Sequence, residues 1–266
     1  MNLFLNSSRN VSRILILLLL LYSCGVRHSN TPSANEPIRK FEYPAKLKDR
    51  KEQLIEHLGY TVSYNEDWKI PNWVAYELTK EEVEGVTPRG KHFIPDPKVK
   101  GATATTDDYK HTGWDRGHMA PAADMKWSEQ AMRESFYLSN ICPQNHNLNG
   151  GDWKTLEERV RTWATKKGSV YVVCGPIVSQ QPPTIGQNKV AVPDAFFKVL
   201  LRNENGNWTA VAFLFANKSG HKPLSTYILT VQEIQAKSGI DFFPSLPDEI
   251  EKRVESQIDT LAWELK

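Results

Sequence analysis

The sequence predicts a mixed α+β domain, and three observations carry that prediction. Alternating, β-branched runs at Ser169–Cys174, Phe196–Arg202 and Trp208–Ala216 have the two-residue period of strands. The last two are joined by Asn203-Glu204-Asn205-Gly206-Asn207, whose Asn-Gly pair can take the left-handed positions of a hairpin. A segment from Asp152 repeats apolar residues at Trp153, Leu156, Val160 and Trp163, the period of a helix with one buried face.

At the N-terminus, Arg9 and Arg13 precede an unbroken apolar run from Ile14 to Leu21, too short to span a bilayer comfortably as a permanent helix. It ends in Leu21-Tyr22-Ser23-Cys24-Gly25, which looks like a bacterial lipobox. Residues 1–23 are therefore expected to be a lipoprotein-type signal peptide, Cys24 the lipidated residue, and the mature chain an extracytoplasmic, membrane-anchored lipoprotein of the periplasm or cell surface. Residues 24–37 are small, polar and proline-bearing, as suits a flexible tether. Residues 38–266 contain neither an internal repeat nor a second linker and are long enough for one sizeable core, so a single domain is expected.

Within that body, Ser128 caps a helix running to about Phe136. The helix from Asp152 carries Glu157 and Arg161 four residues apart, on a face other than the apolar one, where both can meet one ligand. Thr230 with Glu233 forms a capping box for a further helix.

Charge says little about partners. The chain carries 33 Lys and Arg against 31 Asp and Glu, and without Arg9 and Arg13 the mature chain is formally neutral. A polyanion site would have to concentrate its cations locally, and Lys98, Lys100, Lys110, Arg116, Lys126, Arg159 and Arg161 lie in or near one region. Of three cysteines, Cys24 belongs to the lipobox. Cys142 and Cys174 sit in extended segments that neighbouring strands could bring together, as a disulfide or as two buried thiols.

The chemistry concentrates in Trp114-Asp115-Arg116-Gly117-His118-Met119-Ala120-Pro121-Ala122-Ala123-Asp124, followed by the asparagine-rich Asn145-His146-Asn147-Leu148-Asn149-Gly150-Gly151 and the Glu157/Arg161 helix. Phosphodiester hydrolysis needs a base for water, a divalent cation on the phosphate oxygens, and positive charge where the transition state spreads its negative charge. His118, Asn149 and Arg161 can supply these in order.

The stretch Asp108–Arg161, with "RGKHFIPDP" upstream and "VYVVCGPIV", "VPDAFFKVLL" and "SGIDFFPSLP" downstream, resembles the DNA/RNA non-specific endonuclease family of secreted bacterial nucleases and mitochondrial endonuclease G. The resemblance covers about Arg89 to Leu246. It implies a ββα-metal nuclease fold, with a central, mostly antiparallel sheet flanked by helices. A strand ending at His118, a strand through Ser139–Pro143 and the helix from Asp152 would form the ββα unit. It also implies His118 as general base, Asn149 as metal ligand, Glu157 holding a metal-bound water, and Arg161 gripping the phosphate. Arg89 and Arg116 would neutralise or contact phosphate, Asp115 would support the metal's water shell, and Asn140 would lock the two strands. One neutral amide oxygen plus several waters suits Mg²⁺, with Mn²⁺ a substitute. The expected activity is metal-dependent cleavage of DNA and RNA to 5′-phosphate and 3′-hydroxyl ends.

Taken singly, Glu157 and Arg161 could be a surface i,i+4 ion pair, and Asn149 a turn residue. Two other classes compete. A catalytically silent nucleic-acid-binding surface lipoprotein on the same fold would be expected to lack one of the His-Asn-Glu-Arg set. A zinc-stabilised module using His111, His118 or His146 lacks the paired ligand spacings of structural zinc.

Overall fold

The computed structural model describes residues 40–265. The expected signal segment, Cys24 and the expected tether lie outside the described residues. The elements in chain order are β1 (Gln53–Glu56), β2 (Thr61–Asn65), β3 (Ile70–Thr79), α1 (Lys80–Val83), β4 (Asp115–His118), α2 (Glu129–Glu134), β5 (Ile141–Gln144), α3 (His146–Asn149), α4 (Asp152–Lys167), β6 (Ser169–Ile177), β7 (Thr184–Ile185), β8 (Val190–Ala191), β9 (Ala195–Glu204), β10 (Asn207–Ala216), β11 (Ile228–Leu229), α5 (Val231–Ser238) and α6 (Asp248–Ser256).

Seven strands make one antiparallel sheet in the order β1-β2-β3-β6-β9-β10-β11. Both faces of this sheet are covered, which explains why its strands read as nearly continuous apolar runs. On β9, Phe196 and Leu200 join the core beneath α4, whereas Phe197, Val199 and Leu201 join the core that includes α5 and α6 residues. The α4 face is the predicted one: Trp153, Leu156, Val160 and Trp163 are all buried.

The hairpin between β9 and β10 follows the sequence prediction. Glu204 pairs with Asn207, and Asn205 (φ 54°) and Gly206 (φ 89°) take the two left-handed positions between them. Gly206→Ala should cost about 1 kcal/mol, because an L side chain is strained at that φ whatever the space around it. Urea denaturation would measure the loss.

The ββα unit sits on one face of the sheet. β4 pairs antiparallel with β5 in a separate two-stranded ribbon, Gly117 opposite Cys142 and His118 opposite Ile141. The second strand begins later than Ser139 because Leu138–Asn140 closes as a 3₁₀ turn, the Asn140 N–H donating to the Tyr137 carbonyl at 2.9 Å. Similarly, α2 starts at its Ser128 cap but gives way after Glu134 to tighter i→i+3 bonds. A glycine is required at 117: a Cβ there would meet the Gln144 side chain at 2.2 Å.

Cys142 and Cys174 are free thiols, not a disulfide. They lie on strands of different sheets, Cys142 in the β4–β5 ribbon and Cys174 between Val74 and Lys198 in the large sheet. The Cys174 thiol instead donates to the Met119 carbonyl at 3.2 Å, and burial pushes its pKa up to about 11.

Candidate active site

Asparagine side chains set the local geometry. Asn145 caps α3, accepting from the backbone N–H groups of Asn147 and Leu148, and this short helix delivers Asn149 towards β4. The Asn149 Nδ2 donates to Asp115 Oδ2 at 2.8 Å, and the same carboxylate takes the His146 Nδ1 at 3.0 Å. With Nδ2 committed, Asn149 Oδ1 is the atom able to ligate a cation. Asn140 is fully buried and clamps the chain after β4: its amide exchanges two bonds with Ala120, at 2.8 and 2.9 Å, and donates to the Ser135 carbonyl at 2.8 Å.

His118 ends β4 between two aromatic rings, with Phe93 at 5.3 Å and Phe136 at 4.9 Å between centroids. Each ring carries an arginine on its other contacts: Arg116 lies 4.6 Å from the Phe93 centroid and Arg89 5.4 Å from that of Phe136. Burial, reinforced by the cations of Arg89 and Arg116, pushes the imidazole down to about 3. His118 is therefore neutral over the whole physiological range, a stronger tuning than an ordinary histidine has.

Arg161 does not pair with Glu157. Its Nη1 donates to Asp124 Oδ1 at 2.7 Å, and Asp124, 1 % exposed, also accepts from the Tyr76 hydroxyl at 2.9 Å. The i,i+4 surface pair is thus replaced by a clamp from the loop after β4. Glu157 keeps partial solvent access but is enclosed by protein; burial, opposed by Lys198 and aided by Asp124, raises its carboxyl to about 7. The folded state therefore holds a proton on Glu157 that the unfolded chain releases near pH 4.5. Its contribution to stability is greatest below pH 4.5 and is lost as pH rises to about 7. Glu157→Gln should accordingly stabilise the protein by about 1–3 kcal/mol above pH 7 and hardly at all below pH 4.5. Thermal melts across that range would show it.

Asp115, Arg116 and Asn149 line one cavity of about 270 Å³ together with Phe93, Tyr109 and Trp114. The donor set fits a hard cation that keeps most of its water, since it offers one neutral amide oxygen whose amide nitrogen is held by a carboxylate lining the same cavity. Among the described residues, the one cluster of His, Cys, Asp and Glu able to converge on a metal is Asp241, Glu251 and Glu255, remote in sequence from these motifs, so His111, His118 and His146 form no zinc site.

Four contributors escaped the sequence analysis. Phe93 and Phe136 fall within the stretches that carry the resemblance, but they lie far apart in the chain and nothing in the sequence ties them to His118. Asp124, although within the His118 motif, showed no spacing to Arg161 that a helix or strand would explain. Lys198 lies within the strand predicted at Phe196–Arg202, where it was given no role.

A β-ribbon carrying His118, an asparagine-ended turn and a helix carrying Glu157 and Arg161, set against an antiparallel sheet, define a ββα-metal nuclease fold. Residues 38–249 match the DNA/RNA non-specific endonuclease family, and the chain belongs to it. The chain is 38% identical to the mitochondrial nuclease EXOG of Danio rerio over 207 residues, covering 71% of this chain and 60% of that protein. It is 32% identical to human mitochondrial endonuclease G over 209 residues (73% and 70%) and 32% identical to Nuclease C1 of Cunninghamella echinulata var. echinulata over 229 residues (80% and 89%). A chain in the crystal structure of the EndoG/EndoGI complex superposes with a TM-score of 0.69 at 29% identity, covering 74% of this chain and 87% of that one. The chain spans 60–64% of the length of the EXOG proteins it matches. A divalent metal ion is implied by the ββα-metal fold.

Proposed function

We propose that the protein is a Mg²⁺-dependent endonuclease that hydrolyses phosphodiester bonds of both DNA and RNA. The observation that carries this reading is the His118 imidazole held between two arginine-capped aromatic rings, one of which, Phe93, also lines the cavity of Asp115, Arg116 and Asn149. Its Nε2 is closed off from solvent without a partner, which leaves Nδ1 to take a proton from water. Asn149 Oδ1 would hold the cation, with Asp115 fixing the amide. When bound, Mg²⁺ would stabilise charge on the phosphate and the leaving 3′-oxygen. Arg161, pre-set by Asp124, presents its guanidinium to a phosphate without reorganising, and Arg89 and Arg116 add positive charge on the His118 side. Such contacts go to phosphate rather than to base edges or the 2′-hydroxyl, as suits a nuclease indifferent to sequence and sugar.

On sequence alone we further propose that the chain is lipid-anchored through Cys24 and acts outside the cytoplasm; several of its relatives are named as mitochondrial nucleases. Labelling with a radioactive fatty acid, lost in Cys24→Ser, tests the anchor. Among the described residues no helix is long and apolar enough to cross a membrane.

Plasmid DNA and RNA incubated with the soluble chain starting after Cys24 should be nicked with Mg²⁺ and untouched with EDTA. Intact substrates that the protein nevertheless binds would favour the silent nucleic-acid-binding lipoprotein instead.

A further inference from the structure

Lys198 has a chemical environment that the nuclease reading leaves unused. It is fully buried, its Nζ lies 4.4 Å from the centroid of the Trp153 ring, and it has no hydrogen-bond acceptor among the described residues. The alternation of β9 puts it on the α4 side of the sheet with Phe196, Leu200 and Arg202, opposite Cys174 on β6 and Phe213 on β10. Arg202, the other buried cation on that face, has protein acceptors in Thr209 and the Ala262 carbonyl. A buried ammonium without an acceptor is costly unless a neighbouring group gains from its charge.

Glu157 is that neighbour. Trp153, on which Lys198 is seated, lies one helical turn before Glu157 on α4, and Lys198 is first among the charges that act on that carboxyl. The charged and titratable groups that act on Glu157 are Lys198 from β9, Arg161 from α4 itself, and Asp124 and Arg89 from the loops, with Tyr76 of β3 and Cys174 of β6 close enough to feel it. Among the cations, Arg161 is tied to Asp124 and Arg89 is exposed to salt and substrate. Lys198 alone is dry and uncommitted, so its field on Glu157 is the least screened.

We propose that Lys198 is a positioning residue of the nuclease reaction: its buried ammonium, seated on the Trp153 ring on the α4 side of the sheet, favours the charged, accepting form of the Glu157 carboxylate against the burial that opposes it. This inference rests on the reading of Glu157 as part of the nuclease site. Lys198→Met keeps the length and aromatic packing of the side chain while deleting its charge.

The test compares wild type, Lys198→Met, Glu157→Gln and the double variant on a defined DNA duplex with Mg²⁺, recording kcat and KM from pH 5 to 9. In Lys198→Met, kcat should fall about tenfold or more while KM changes less than about threefold. The acidic limb should move up by about one pH unit, since Glu157 then protonates more readily. In the Glu157→Gln background, adding Lys198→Met should change kcat less than about twofold. An unmoved acidic limb, or effects that multiply in the double variant, would overturn the proposal. Should Lys198→Met not fold, the ¹⁵Nζ resonance of Lys198 must show the ionisation step of Glu157 in the otherwise wild-type protein and lose it in Glu157→Gln; a resonance blind to that change overturns it equally. A wild-type chain that cleaves nothing at any pH would instead sink the nuclease reading, and the ¹⁵Nζ titration would still decide the coupling.

Discussion

Replacing His118 with alanine should lower kcat/KM for DNA cleavage by about 10²–10⁴-fold, the usual contribution of a positioned general base. The loss should fall on kcat. His118 itself packs between Phe93 and Phe136 while Arg89 and Arg116 carry the positive charge around it, so removing the imidazole deletes no cationic phosphate contact and leaves KM within about threefold. The acid side of the pH profile gives a second, independent reading. A histidine at its ordinary pKa would lose activity below about pH 6.5. Here burial and the flanking arginines hold it neutral down to about pH 3, so the first limb met on acidification should belong to Glu157, near 7 before a cation binds and lower once one does. Steady-state kinetics of the variant and of wild type from pH 5 to 9 would check both. Retention of near-normal kcat in His118→Ala would remove this residue from the chemistry.

The ways in which the site was and was not legible in the sequence follow from how far apart its parts lie. The α4 face was visible because Trp153, Leu156, Val160 and Trp163 repeat within one element, and the β9–β10 hairpin because Asn205-Gly206 can hardly do anything else. The early sheet strands, β1 to β3, were missed. β2 is buried along its whole length, so it shows no polar alternation, and β1 is a short edge strand with one buried residue. His118, Asn149, Glu157 and Arg161 were singled out because family motifs carry them. Their partners were not, since the Arg161–Asp124 clamp spans 37 residues and the rings around His118 come from two separate segments. Such pairings are created by tertiary packing and leave no period in the chain. The cysteines illustrate the same limit: extended segments on both sides made a disulfide conceivable, but strand pairing placed them in different sheets.

Asn149→Ala should be the other severe variant, and its defect should differ in kind from that of His118→Ala. It removes the amide oxygen left free when Nδ2 is bound to Asp115, so the cation loses its protein ligand and the amide no longer restrains the carboxylate. Activity should fall by about 10²-fold or more, as when a ligand or its orienting partner is lost, and the divalent concentration for half-maximal rate should rise by a similar factor. Asp115→Asn separates the two contributions. It keeps the ligand but weakens the bond that fixes it, since a carboxylate accepting from Asn149 and His146 is exchanged for an amide with one fewer acceptor. Its loss should be about tenfold, with part of the activity recovered at high Mg²⁺. Calorimetric titration with Mn²⁺ measures the cation directly, without reference to turnover. His118→Ala should bind Mn²⁺ as wild type does, Asp115→Asn more weakly, and Asn149→Ala beyond detection. Wild-type Mn²⁺ affinity in Asn149→Ala would place the cation on other ligands, and the assignment of Asn149 would fall while that of His118 stood.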